Sequence, residues 1–335
     1  MELSSGEKAG EICKKIKVNL KQFLDNYDIG DKITLLTIVK YIEDSIIENA
    51  QNNDSLITPI AFPVGVSVNN VCAHDTCIDD KDPRTFNLSQ DIIKIDFGIQ
   101  INGIIIDNAF SYSRNPKYNL LIEASKTMVH KVIDHIKANM RITEIQDLAE
   151  ATLKQFNSNN GTNFVAISNL AGHLIKPNII HGDPKQLIYP NSLVNKDNDI
   201  KIQGNSFYAI EFFVSTGSNM FPEMDESTNS HFMINPSKLK KFSKMKIHNE
   251  IYDRIRKTIL IQKGTLAFSQ RFIHQCSSID FKDINEALDY FFDLGIISKF
   301  PPVLDKNNPE SRVSQHEVTI YVPKDITKNV KILSE

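Results

Sequence analysis

Asp96 and Asp107 flank Asn102-Gly103 within an isoleucine-rich stretch, Asp91 to Phe110. Asn-Gly between β-branched runs is the strongest short hairpin signal. A two-residue turn there pairs Ile101 with Ile104, sets Asp96 opposite Ala109 and sets Asp107 opposite Gly98. Paired residues share a sheet face, as do positions two apart on one strand. The two aspartates are then diagonal neighbours on one face, roughly 7–8 Å apart at the backbone. Such a pair could be surface charges on a solvated face, could share one proton, or could bind cations. Apolar residues flank the aspartates on both faces, which points to a buried strand and away from the solvated face.

Three more residues stand in similar surroundings. Glu211 lies within Tyr208-Ala-Ile-Glu-Phe-Phe, and Glu317 within Val313-Ser-Gln-His-Glu-Val-Thr-Ile. A glutamate in the middle of a buried strand is rarely there for packing. His173 follows Gly172 after the run Val165 to Leu170. Oxygen-rich ligands with one imidazole suit Mn²⁺, Fe²⁺, Co²⁺ or Zn²⁺. Four carboxylates are too much charge for one ion, and two divalent ions about 3.5–4 Å apart would balance them.

The elements that must position these residues follow from periodicity. Helical spacing predicts helices over residues 7–24 and 33–49, then 116–139 and 143–156. Ala61–Val68 reads as a turn and short strand, and Ser206–Val214 and Ser314–Val322 as strands. Residues 236–300 are mostly helical in pattern, opening on a basic run from Lys238 to Lys246. That run suits a solvated helix face, or a patch touching ribosomal RNA. The 335 residues carry 41% apolar and 24% charged side chains, normal for a chain that buries a core. A net charge of −3 gives no general case for nucleic acid or anionic membrane as the main partner. Cys13, Cys72, Cys77 and Cys276 form no Cys-x-x-Cys pair and read as free thiols of a reducing compartment. No run approaches a membrane span of about 18 apolar residues, and no apolar leader is visible, so the expected location is cytoplasmic.

The ordered set Asp96, Asp107, His173, Glu211, Glu317 resembles the five-ligand pattern of the methionine aminopeptidase and prolidase superfamily, the pita-bread fold. Ala61-Phe-Pro-Val-Gly, Ala73-His74, Lys94-Ile-Asp-Phe-Gly, Asn169-Leu-Ala-Gly-His, Tyr208-Ala-Ile-Glu, Phe300-Pro-Pro and Gln315-His-Glu are closest to methionine aminopeptidases of type 2. The resemblance implies an α+β pita-bread fold of antiparallel sheets covered by helices. A single catalytic domain would span 1–335, with a type 2 helical insertion at 236–300. It implies a dinuclear metallo-aminopeptidase that removes initiator methionine from nascent chains through a metal-bridging hydroxide and prefers small second residues. Two divalent metals (Mn, Fe, Co or Zn) would be held by Asp107 and Glu317 as bridges, His173 and Glu211 on one metal, and Asp96 on the other. Glu211 would move the proton, while His74 and His181 would contact the substrate amide and the developing oxyanion. The methionine pocket would use Phe62, Leu170, Ile180, Phe213, His231 and Phe300. Partners would be methionyl peptides and nascent chains, with the ribosome nearby, no membrane, and a monomeric state.

Four features depart from that family pattern. Leu174 and Lys176 replace a Ser and a Gly after the ligand histidine, and Asp75 follows His74 where an aromatic is common. His231 lies two residues further from Glu211 than the family spacing, and His316 replaces an aromatic before Glu317. The alternatives are a proline-directed peptidase of the same fold and a non-enzymatic, ribosome- or RNA-binding paralogue. Retention of all five ligands argues against the second.

Overall fold

The computed structural model describes residues 2–27, 32–50, 58–194 and 200–335. Helices α1 (Glu2–Asn26) and α2 (Leu35–Asn49) precede short strands β1 (Gly65–Val68) and β2 (Val71–Ala73). The long hairpin β3 (Ile93–Ile101) and β4 (Ile104–Tyr112) comes next, then α3 (Asn119–Ile133) and α4 (Ile142–Asn160). Strands β5 (Gly172–Ile175), β6 (Leu187–Ile188), β7 (Ser206–Ser215) and β8 (His231–Ile234) lead into a helical segment. That segment holds α5 (Leu239–Lys244), α6 (Glu250–Gln262), α7 (Gln270–Ser277) and α8 (Phe281–Asp293). Strands β9 (Ile297–Phe300) and β10 (Val313–Val322) follow.

The expected helix over 116–139 is shorter. Asn115 caps a 3₁₀ turn at Pro116–Tyr118, and α3 ends at Ile133. The chain then turns, with Asn139 in the left-handed region, and re-enters a helix at Ile142. Helix α4 runs on to Asn160 and stops at Gly161, whose φ of 65° suits a glycine.

One sheet organises the molecule, in the order β1-β3-β4-β10-β7-β5-β6, with Val165–Ala166 added beside β7 and Lys331–Ile332 beside β10. Every pairing in it is antiparallel. Strand alternation divides its two faces. Ile95, Phe97 and Ile99 of β3 pack in one cluster with Ile16 and Leu20 of α1 and Ile42 of α2. Ile210 and Phe212 of β7 and Val318 and Ile320 of β10 pack with Met128 of α3 and Ile145 of α4. Helices thus cover the face of these side chains, and the alternate residues Asp96, Glu211 and Glu317 look to the other.

The hairpin register matches the turn chemistry. Asn102 and Gly103 have φ of 52° and 81°, the left-handed pair that a two-residue turn requires. Ile101 pairs with Ile104, Asp96 with Ala109 and Gly98 with Asp107. The segment from α5 to α8 builds its own core around Phe242, Ile255, Ile259, Phe291 and Ile297. Its base is the pair β8–β9, in which His231 stands opposite Phe300. None of the helices among the described residues is long and apolar enough to cross a membrane.

Candidate active site

Each strand delivers its residue by register. In the β7–β10 ladder Glu211 lies directly opposite Glu317, and in the next ladder Glu317 lies opposite Ala109, which itself faces Asp96. His173 of β5 pairs with Ala209, two residues from Glu211 on the same face of β7. Five residues spread over more than two hundred positions therefore converge on one point of the sheet.

The β4–β10 ladder stops at Asn108, and the side chain of Thr319 takes over at Asp107. Its hydroxyl accepts from the Asp107 N–H at 2.8 Å and donates to the Asp107 carbonyl at 2.7 Å. Both backbone groups of Asp107 are satisfied, and its carboxylate is free to point into the site.

Donor atoms fall into two overlapping trios, Asp107/His173/Glu317 and Asp96/Glu211/Glu317. Glu317 belongs to both. Glu211 and Asp96 also share a hydrogen-bond partner. Gln315 Nε2 donates to Glu211 Oε2 at 2.8 Å and to Asp96 Oδ2 at 3.1 Å. The Gln315-His-Glu motif assigns Gln315 no role of its own. Its place two residues before Glu317, on the same strand face, was the available signal.

Among the described residues, no lysine or arginine forms an ion pair with these carboxylates. Burial first, then repulsion from Asp107, raises Asp96 well above the usual carboxylate range. Burial pushes Asp107 up to about 7 despite hydrogen bonds that oppose the shift. Glu211 and Glu317 are raised by burial and by their acidic neighbours. Asp96 Oδ1, Asp107 Oδ1 and His173 Nδ1 are buried without a hydrogen-bond partner. Orphaned carboxylate oxygens in a dry, acidic cluster with one neutral imidazole are what divalent ions need, so the donor set fits them.

Three further imidazoles border the carboxylates. His181 stands edge-on to His173, with ring centroids 4.5 Å apart. His74 follows β2 with φ of 63°, an uncommon backbone conformation for a non-glycine residue and one often found at functional positions. His74 lies 5.8 Å from His231 and 6.1 Å from Phe300, centroid to centroid. Burial lowers the pKa of all four histidines: His173 to about 4, His231 to about 3, and His74 and His181 below the ordinary value. They are neutral hydrogen-bonding groups at neutral pH.

A cavity of about 90 Å³ opens beside these groups, bordered on its apolar side by Phe62, Ile180, Met233, Ala267 and Phe300. That is room for a few waters or one slim side chain. Phe62 folds against Gly98, where an added Cβ would meet Phe62 Cε1 at 2.3 Å. Phe62, Ile180, His231 and Phe300 line this cavity with His74 and His181, but Leu170 and Phe213 do not. The Phe213 ring packs with Cys72, Ala73, Val303 and Val313, and Leu170 packs against that cluster. Phe213 shares the face of Glu211, but its position further along β7 packs it against Cys72 and Ala73 of β2, the strand that leads into His74. Met233 and Ala267 were not anticipated; Met233 follows from alternation on β8, two residues after His231.

The departures resolve locally. Arg84 holds Asp75 with Nη1 bonds of 2.7 and 3.0 Å, so the extra carboxylate beside His74 is paired. Leu174 is buried on the helix-covered face, and Lys176 is exposed. The connection from β7 to β8 runs largely exposed, where added length costs little. His231 still reaches the site, its Nδ1 lying 3.0 Å from Ser230 Oγ.

Comparison with known proteins agrees with this geometry. The sequence profile of metallopeptidase family M24 matches residues 5–263. A methionine aminopeptidase 2 from Encephalitozoon intestinalis is 30% identical over 327 residues, which cover 96% of this chain and 84% of the relative. Among solved structures, a thermophilic Arx1 superposes with a TM-score of 0.75 at 15% identity, over 99% of this chain and 90% of the other. A methionine aminopeptidase from Thermotoga maritima superposes with a TM-score of 0.58 at 17% identity, over 99% and 97%. These two likenesses are of fold: the pita-bread architecture. The chain belongs to metallopeptidase family M24, among its type 2 methionine aminopeptidases.

Proposed function

We propose that this metallo-aminopeptidase removes the N-terminal methionine from peptides and nascent chains, with preference for small second residues, using two divalent ions. The observation that carries the reading is the pair of trios sharing Glu317, set beside a slim apolar cavity. Asp107, His173 and Glu317 would hold one ion, and Asp96, Glu211 and Glu317 the other. When bound, the ions supply Lewis acidity and an activated water at neutral pH.

The chain's own residues do the rest. Phe62, Ile180, Met233 and Phe300 offer an apolar slot that suits an unbranched thioether. The small volume of the slot favours one terminal side chain. His74 and His181, neutral through burial, can donate N–H bonds to the carbonyl oxygen as it gains charge. Glu211, with its pKa raised by burial, can take a proton at neutral pH and return it to the leaving amine.

The test is methionine release from Met-Ala-Ser, compared with Ala-Pro peptides, with and without a chelator. Release from Met-Ala-Ser that chelation abolishes and Mn²⁺ or Co²⁺ restores is expected. No release in any metal, or cleavage of only the Ala-Pro substrate, would overturn the reading.

A further inference from the structure

Strand β10 carries a second set of metal-ligating side chains on its other face. His316 lies between Gln315 and Glu317 and by alternation points toward the helices. There it meets His130 of α3, with ring centroids 5.6 Å apart, and Glu335. His130 Nε2 is 3.0 Å from Glu335 Oε2, and His316 Nε2 is 3.5 Å from Glu335 Oε1. One donor atom from each residue lies within 4.8 Å of the others. Neither Nε2 makes a well-aligned hydrogen bond, although His316 is only 6% exposed. Two ring nitrogens and a carboxylate thus aim at a common point, and neither ring nitrogen has a well-aligned partner there.

We propose that His130, His316 and Glu335 bind a borderline divalent cation of the zinc class, at a site separate from the catalytic one. Two imidazoles and a carboxylate are a recurring three-residue zinc set that leaves a fourth position to water. Zinc–nitrogen and zinc–oxygen bonds of about 2.0–2.2 Å place tetrahedral ligand atoms roughly 3.3–3.6 Å apart, so donors that lie within 4.8 Å of one another close by at most about 1.5 Å to complete the site. The same donors are a poor match for Ca²⁺ or Mg²⁺, which require more oxygen. Lys17 is the nearby cation that a metal must tolerate, and burial already lowers its pKa. Its Nζ is turned to the Ser334 carbonyl at 3.4 Å. His130 and Glu335 are partly exposed, which gives the cation a route from solvent.

The experiment compares zinc stoichiometry in the full chain and in a His130→Gln, Glu335→Gln double variant, after chelation and re-equilibration with Zn²⁺. The wild type is expected to bind one equivalent more than the variant, whatever number the catalytic site holds. The extra equivalent should show tetrahedral visible absorption when Co²⁺ replaces Zn²⁺, and methionine release at saturating metal should stay within twofold. Equal stoichiometry in folded wild type and variant, or no Co²⁺ signal lost, would overturn the proposal. Should the double variant fail to fold, the single His130→Gln change, on the partly exposed side of α3, must still weaken the extra equivalent at least tenfold; unchanged affinity would also overturn it.

Discussion

Gln315 ties two of the buried carboxylates together, because its one amide nitrogen donates to both Asp96 and Glu211. Gln315→Leu removes that tie while keeping size, and metal affinity should fall by roughly 10–100-fold, as for other groups that orient ligands. A chelator competition titration reads this directly. Glu211→Gln should lower kcat by at least about 100-fold, because the proton carrier is lost along with a ligand charge. Steady-state assays at saturating metal separate that loss from weakened binding. Arg84→Ala leaves Asp75 buried without its cation, and should cost about 1–3 kcal/mol in thermal or urea unfolding. The departure at Asp75 could be read from sequence, but its partner could not: nothing in nine residues of loop says that Arg84 turns back onto it.

At the scale of elements, the β3–β4 hairpin was legible because its register is local. Asn102-Gly103 demands left-handed backbone, and every pair down the ladder follows. The β7–β10 register is a different case. Those strands are a hundred residues apart, so sequence marks Glu211 and Glu317 as odd strand carboxylates without showing that they face each other. The same limit applies to the cavity. Leu170 and Phe213 have suitable side chains, but their position along the strand and against β2 removes them from it. Met233 has an equally ordinary side chain and does line it. Gly98 is the tight point of this assembly. Gly98→Ala must displace Phe62, so KM for methionyl peptides should rise several-fold, with a stability loss of about 1–3 kcal/mol from overpacking. An unchanged KM would mean that Phe62 does not contact the substrate side chain.

For the whole molecule, the acidic cluster links metal, pH and folding. Burial and mutual repulsion raise these carboxylates in the folded state, Asp107 to about 7. Without a cation the folded chain binds more protons than the unfolded chain between an ordinary carboxylate pKa of about 4 and about pH 7, so stability falls as pH rises through that window. Divalent ions bind the deprotonated form and reverse the loss. The difference in Tm between metal-loaded and chelated protein should therefore be larger at about pH 8 than at about pH 5; calorimetry at both values tests it. Strand β10 adds a mechanical consequence. Its backbone places Glu317 on one face and His316 on the other, so a slip of a single residue would exchange them. His316 and Glu317 sit on adjacent peptide units of that strand, one facing α3 and Glu335, the other belonging to both trios. The strand therefore keeps both sites in register through the same pairing, and a register error in it would displace both at once.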